Sequence, residues 1–519
     1  MLKLLRPLGM AHKIPTEPLI AVIGSTGTGK SQLAVDLATR FNGEIINGDA
    51  MQMYRGLPII TNQITPEERN GIPHHLLGCI GLDEEPWRVS RFKKECLKSI
   101  KEIRSRGKLP VLVGGTHYYT HSVLFNEAIL DSEGESEGEE DGQGKGKTDD
   151  GGLKLSSEEE FPILNSSPEE ILAKLREVDP VMASRWHPNE TRKIRRSLEI
   201  YLQTGRPASE VYKEQSNLIQ AANNNSTPAP TPTRTPDQPS SAAVTAGQLR
   251  FPTLIFWTHT DKQTLTTRLN TRVDTMAAAG LLAEAQVLYN HLHTQEAAGN
   301  TVDRTRGIWV SIGFKELEPY FRALHNTEQR TTPARLQEIK EACLDAIKTA
   351  TRQYAKQQIK WIRGKLWNAL GTARARGVLF VVDSSRGGSG GVWREDVVGP
   401  AEGVVERFLR GGECPDPMGL SERAREVFET QLMRKGVEAA ADGGEGGGQV
   451  MGGLERRCRT CEVCKVTVQS EEQWEMHVRG GRHKRVVRAR RKWEEKERYF
   501  GVKGGDDVET GMGTAEGGQ

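Results

Sequence analysis

Short apolar runs alternate with helix-period segments over the first 130 residues of the chain. Leu19-Ile20-Ala21-Val22-Ile23 has no polar break, as a strand covered on both faces requires. Glu44-Ile45-Ile46-Asn47 and Leu109-Pro110-Val111-Leu112-Val113 are two further short strands. Between them, Gln32 to Ala38 reads as a helix, and Trp87 to Arg106 carries Phe92, Cys96 and Ile100 at i, i+4 and i+8. This alternation predicts an α/β fold, a parallel sheet core flanked by helices, with ligand sites at the carboxyl ends of the strands. Asp49, Thr116 and the glycine-rich stretch after Ile23 all fall just past such ends, so one cleft should hold them.

The pattern then turns helical. Asn189 is placed to cap a helix with the stripe Ile194, Leu198, Tyr201 and Leu202, ended by Gly205, and its opposite side carries Arg192, Lys193, Arg195 and Arg196. Leu254-Ile255-Phe256-Trp257 reads as a strand returning to the sheet. A helix follows with Leu265, Leu269, Val273 and Met276 on one face and Arg268 and Arg272 one turn apart beside it. The segment from Pro333 to Trp361 predicts a long helix burying Leu336, Ile339, Cys343, Ile347 and Ala350, with Arg352, Lys356 and Arg363 on a neighbouring side. Each basic set alone fits a solvated face. Three of them flanking one cleft favour a polyanionic partner such as RNA.

Composition breaks this pattern in several places. Residues 131–160 are acidic and glycine-rich, and 218–249 are rich in Asn, Thr and Pro; neither buries enough apolar surface to offset ordering its backbone. The expected organisation is therefore 1–15 as a targeting segment, 16–130 as the first part of the core, and 131–160 as a disordered insertion. Then come 161–217 as a helical insertion, 218–249 as a second disordered insertion and 250–412 as the rest of the core with its C-terminal helices. A glycine-rich linker at 413–454, a finger with a basic helix at 455–500 and a tail at 501–519 complete the chain. Residues 1–15 carry Lys3, Arg6 and Lys13 and no acid, a composition compatible with a mitochondrial presequence and equally with a frayed terminus. Cytoplasm, mitochondrion and nucleus thus stay open as locations. No apolar run reaches the roughly 18 residues of a membrane span, so no membrane association is expected. Nothing in the pattern calls for a dimer, so a monomer is expected.

The chemistry begins at Gly24-Ser25-Thr26-Gly27-Thr28-Gly29-Lys30-Ser31, which reads G-x-x-x-x-G-K-[ST] between a strand and a helix. Backbone N–H groups of such a loop, the helix N-terminus and Lys30 cradle phosphate, and Ser31 sits where a hydroxyl can bind Mg²⁺. Whether those phosphates belong to a nucleotide is not legible in the loop. Net charge is only +2, so attraction to nucleic acid must come from local patches. The cysteines number seven, and only Cys458, Cys461 and Cys464 cluster, which points to a reducing compartment and one metal site. Cys461-x₂-Cys464-x₁₂-His477-x₅-His483 has the spacing of a C₂H₂ zinc site; Cys458 competes as partner of Cys461, but only the later pair leaves the x₁₂ gap. The long x₅ spacing resembles matrin-type fingers. A basic helix follows, with Lys484, Arg485, Arg488, Arg490, Arg491 and Lys492 suited to phosphate backbone, although a protein contact would also use the finger.

Seven collinear segments resemble tRNA dimethylallyltransferases. They are Glu44 to Leu57, Gly71 to Leu77, Val113 to Tyr119, Trp186 to Arg196, Arg272 to Met276, Ser311 to Leu317 and Ala350 to Gln358. The resemblance runs from about 19 to 363. It implies a P-loop core with a helical tRNA-binding insertion, and transfer of a dimethylallyl group from dimethylallyl diphosphate to N6 of adenine-37 in tRNA. It implies Asp49 as general base, Arg272 as the diphosphate-binding arginine with Arg268 assisting, and Gly24, Thr26, Gly27, Thr28, Gly29, Lys30 and Ser31 around the diphosphate. Thr116 and Thr28 would offer hydroxyls, and Gln52 and Tyr54 would contact the extruded adenine. Arg192, Lys193, Arg195 and Arg196 would hold tRNA backbone, with Arg352 and Lys356 lining the same channel. The chain departs from the family in having Ser25-Thr26-Gly27-Thr28 where Pro-Thr-Ala-Ser is frequent, and Ala50 where serine is frequent. Its Gly-Thr-Gly-Lys-Ser form also resembles adenylate isopentenyltransferases, which modify free AMP, ADP or ATP. A P-loop kinase or NTPase remains a third reading. The finger favours tRNA as acceptor.

Overall fold

The computed structural model describes residues 14–126, 161–186, 188, 190–214, 217, 247–325, 331–387, 390–441, 459–464, 467–468, 471–481, 483–488 and 491. The expectations for 1–13, 131–160, 218–246, 442–454 and 501–519, and for Asn189, Cys458, Arg490 and Lys492, lie outside the described residues. The chain divides into two compact units, Met1–Gly138 with Leu218–Gly444, and Glu139–Asn217 with Glu445–Gln519.

In the first unit the alternation of the sequence becomes β1 (Leu19–Gly24), α1 (Lys30–Arg40), β2 (Gly43–Asn47), β3 (His74–His75), α2 (Val89–Ser105), β4 (Leu109–Gly114), α3 (His117–Leu124), β5 (Thr253–His259) and α4 (Lys262–Ala279). It continues through α5 (Leu281–Ala297), α6 (Phe314–Leu324), α7 (Pro333–Trp361), β6 (Leu379–Asp383), α8 (Gly399–Leu409) and α9 (Glu422–Ala441). Six strands form one parallel sheet in the order β3-β2-β4-β1-β5-β6. β1 is central and wholly buried, with Ile23 opposite Gly114 on one side and Trp257 on the other. Its side chains alternate between two apolar layers. Ile20 and Val22 join Leu33, Leu37, Phe256, Phe380 and Val404, while Leu19, Ala21 and Ile23 join Phe92, Ile100, Val273, Leu288 and Phe314.

β6, α8 and α9 are not foreseen by the pattern. The stretch 413–454 is not simply a linker: α9 occupies its middle, burying Ala424, Val427 and Phe428, and the long glycine run starts only after it. The i, i+3, i+4 spacing of those three residues was diluted by the glycines that follow. α7 likewise buries Cys343 and Ile347 as expected but adds Ala355 and Gln358, while Leu336, Ile339 and Ala350 stay half-buried.

At the start of β2, Glu44 is buried among three basic groups: His75 Nε2 at 2.6 Å, Arg106 Nη2 at 2.6 Å and Lys108 Nζ at 3.2 Å. Burial alone would raise its pKa, but the bonds from Arg106, His75 and Lys108 hold it at about 2. A depressed carboxyl adds stability above its unfolded pKa and loses it as pH falls toward the folded value. Glu44→Gln is therefore expected to cost about 2–3 kcal/mol at pH 7. In urea unfolding, the gap between parent and variant should narrow as the pH is lowered below about 4.5 and close only near pH 2.

The second unit holds the helical insertion and the finger. Ser167 opens helix Pro168–Val178 with a capping box: its Oγ accepts from Glu170 N–H and Glu170 accepts from Ser167 N–H. Helices Pro180–Arg185 and Thr191–Thr204 pack on it through Leu172, Leu175, Ala183, Ile194 and Leu198. The last helix begins at Thr191 with Glu190 at its N-cap, one residue after Asn189, and Gly205 closes it in the left-handed conformation as expected. In the finger, Arg459–Thr460 and Thr467–Val468 form an antiparallel pair followed by helix Glu471–Arg479.

Candidate active site and metal centre

The Gly24–Ser31 loop runs from β1 into α1. Gly27 and Gly29 take φ of 87° and 86°, and a Cβ would stand 2.8 Å from Leu269 at the first and 2.5 Å from the Trp393 ring at the second. Trp393 also donates from Nε1 to Asp36 at 2.8 Å, so this indole covers the outer flank of the loop. Lys30 Nζ donates to the Ser25 carbonyl at 2.8 Å. Burial pulls its pKa to about 8, Asp49 opposes that fall and Arg272 adds to it. Arg272, one turn along α4 from Arg268, donates from Nη1 to Thr26 Oγ1 at 2.8 Å. Ser31 is half-buried in the first turn of α1.

Asp49 lies two residues beyond β2. Its Oδ1 accepts from Met51 N–H at 3.1 Å, and Gln52 and Gly115 N–H groups also donate to the carboxylate. Burial raises its pKa, against Lys30 and these three amides. Thr116, just past β4, accepts on Oγ1 from Ala50 N–H at 3.0 Å, beside the carboxylate. The three strand ends thus bring together an anion nest, two cations and one carboxylate. Acid–base chemistry next to a bound phosphate needs that combination.

Several expected residues are committed elsewhere. Thr28 is buried and its hydroxyl bonds the Ser25 carbonyl at 2.9 Å and Thr258 Oγ1 at 2.7 Å, which ties the loop to β5. Tyr54 is buried with its hydroxyl on the Ile308 backbone, and burial lifts its pKa to about 12, so it packs the core. Gln52 Nε2 donates to the Asn62 carbonyl at 3.0 Å. The two terminal nitrogens of Arg268 serve Ser384, at 2.6 Å to its carbonyl and 3.2 Å to its hydroxyl; Arg272 is the member of the pair that bonds the loop. Arg352 bonds Asn270 Oδ1 and Thr349 Oγ1, whereas Lys356 is exposed. The pattern of the sequence missed Tyr354 and Gln358 as site residues. Gln358 bridges Thr26 and Gly115, and Tyr354 bonds both Thr116 and Gln358. Their i, i+4 spacing on the face that ends at Trp361 was the available signal.

On the helical insertion, Arg192, Lys193 and Arg196 are exposed and Arg195 is half-buried. Lys193 pairs with Glu190 and lies over the Trp186 ring at 4.8 Å, and Arg196 pairs with Glu199 at 2.9 Å. In the finger, the ligand atoms of Cys461, Cys464, His477 and His483 all lie within 4.8 Å of one another, a spacing that fits one tetrahedral zinc. Burial raises the Cys461 thiol pKa, but the Cys464 amide and side chain and His477 bring it down to about 6, as a thiolate ligand requires. These four are the residues that would hold Zn²⁺.

A parallel sheet with a phosphate nest beyond β1 and a carboxylate beyond β2 defines a P-loop α/β core. Residues 52–365 match the family model described as IPP transferase, and residues 459–483 match the zinc finger of C2H2 type. The chain is 34% identical over 498 residues to the tRNA dimethylallyltransferase of Schizosaccharomyces pombe, spanning 94% of this chain and 98% of that one. It is 28% identical over 483 residues to the Homo sapiens tRNA dimethylallyltransferase, covering 92% and 87%. A crystallised eukaryotic dimethylallyltransferase acting on tRNA is 30% identical with a TM-score of 0.64, covering 93% of this chain and all of that one. The chain belongs to the tRNA dimethylallyltransferase family.

Proposed function

We propose that this enzyme transfers a dimethylallyl group from dimethylallyl diphosphate to N6 of adenine-37 in tRNA. The observation that carries the reading is the meeting of Lys30, the Arg272–Thr26 pair and Asp49 at neighbouring strand ends, in a chain of this family. The adenine amine attacks the allylic carbon, the carbon–oxygen bond to diphosphate breaks, and Asp49 takes the N6 proton. Amides of the loop, Lys30 and Arg272 hold the departing diphosphate. The half-buried Ser31 hydroxyl, in the first turn of α1 beside the nest, is the protein oxygen that would hold Mg²⁺. When bound, it would neutralise charge on the leaving group. Thr116 orients the Asp49 turn through Ala50.

The insertion 161–217, with Arg192, Lys193, Arg195 and Arg196, and the finger with its basic helix would each meet tRNA backbone, as would Lys356 and Arg352. A monomer acting in cytoplasm, mitochondrion or nucleus fits this scheme. Labelled prenyl donor offered with tRNA, AMP or ATP tests the reading: label entering tRNA supports it, and label entering AMP overturns the acceptor. γ-Phosphate release from ATP without prenyl transfer overturns the chemistry. Cys461→Ser is expected to remove the zinc and raise KM for tRNA more than it lowers kcat. Zinc content and steady-state kinetics check this, and an unchanged KM would refute a tRNA-gripping finger.

A further inference from the structure

We propose that Gln358 is a positioning residue that sets the separation between the diphosphate nest and the carboxylate base, so that donor and acceptor meet in line. The inference rests on the activity proposed above. Gln358 is 4% exposed, and both ends of its amide bond backbone groups. Oε1 accepts from Thr26 N–H at 2.8 Å, and Nε2 donates to the Gly115 carbonyl at 2.9 Å. Those two peptides belong to different halves of the site. Thr26 lies in the nest, and its hydroxyl receives Arg272. Gly115 follows β4, and its N–H donates to Asp49. One side chain therefore spans the gap between the cation that holds the leaving group and the group that takes the proton.

Two neighbours fix the span. A Cβ on Gly115 would stand 2.4 Å from Gln358 Nε2 and 3.2 Å from Asp49 Oδ2, so the backbone there is pressed between amide and carboxylate with no room to drift. One turn earlier on α7, the Tyr354 hydroxyl bonds both Gln358 and Thr116, and Thr116 Oγ1 accepts from Ala50 N–H at 3.0 Å. Arg272, Thr26, Gln358, Gly115 and Asp49 thus form one chain of hydrogen bonds, with Tyr354 bracing its middle. The register of α7 is set by Cys343, Ile347 and Ala355 in the core and by Trp361, whose ring centroid lies 5.4 Å from that of His117. Displacement at an allylic carbon needs the nucleophile and the leaving oxygen aligned on opposite sides, and a misplacement near 1 Å costs about 10²-fold. Gln358 touches neither reacting atom; it acts through Thr26 and Gly115.

Gln358→Met keeps length and volume and removes both bonds. With dimethylallyl diphosphate and tRNA, kcat per folded site is expected to fall about 30- to 100-fold, with KM for each substrate within about threefold. Tyr354→Phe should cost about 3- to 10-fold alone and almost nothing when added to Gln358→Met, because both act through one element. A kcat for Gln358→Met within twofold of the parent overturns the assignment. So does a loss explained entirely by a smaller folded fraction, measured by thermal unfolding and donor titration, and so does full additivity of the two changes. A parent chain that fails to prenylate tRNA overturns the activity and the assignment together, whereas an active parent matched by its variants overturns the assignment alone.

Discussion

Asp49→Asn is expected to lower kcat for tRNA prenylation by about 10³-fold while donor binding stays intact or tightens. Asparagine keeps the shape of the side chain and its acceptor oxygen for the Met51 amide, but it cannot take the N6 proton. The sign of the binding effect follows from charge. Asp49 is a negative group coupled to Lys30, so removing it takes a repulsive charge from beside the diphosphate. The parent should also show an acid limb in kcat that the variant lacks. The base works only when ionised, and burial raises its pKa, so transfer should fail at a higher pH than an ordinary carboxylate would dictate. Titration of a non-reactive thiolodiphosphate analogue checks the binding half, and single-turnover rates across pH check the chemical half. Loss of donor binding in Asp49→Asn would contradict its role as base.

The sheet was legible because parallel strands are apolar on both faces. β1 and β5 are continuous hydrophobic runs, and the phosphate loop punctuates the first of them. β3 was invisible for the opposite reason: two histidines, His74 and His75, extend the sheet edge through backbone pairing to Ile45 and Ile46, which no hydrophobic pattern announces. The charged anchors of the site were readable as residue types, since a lysine in a nest and an aspartate past a strand end have few other uses there. What the pattern could not give was direction. Arg268 and Arg272 are equivalent by helical spacing, yet the first is drawn to Ser384 at the end of β6, an unforeseen strand, and only the second reaches Thr26. Tyr54 reads as polar and free, but the close approach of Gly307 lets its hydroxyl bond the next peptide. Gln358 stayed hidden because its partners are backbone groups 243 and 332 residues away.

Lys30→Met should be as damaging as loss of the base, by a different route. Methionine fills the space of the lysine stem, so the loop keeps its packing and loses one half-buried positive charge. That charge sits in a nest where burial has already pulled its pKa to about 8, which means desolvation makes it costly until an anion arrives. Diphosphate supplies the anion, and its charge grows as the carbon–oxygen bond breaks, so the interaction strengthens toward the transition state. The expected result is a fall in kcat of about 10³-fold with a donor Kd weakened only about tenfold. Arg272→Ala should cost about 10²-fold, because removing it also releases Thr26. The two changes should not add: both cations act on the same departing oxygens, and with one gone the diphosphate can shift toward the other. A double variant slower than either single change by the full product of their effects would mean that Lys30 and Arg272 serve different groups, and that the diphosphate does not lie between them.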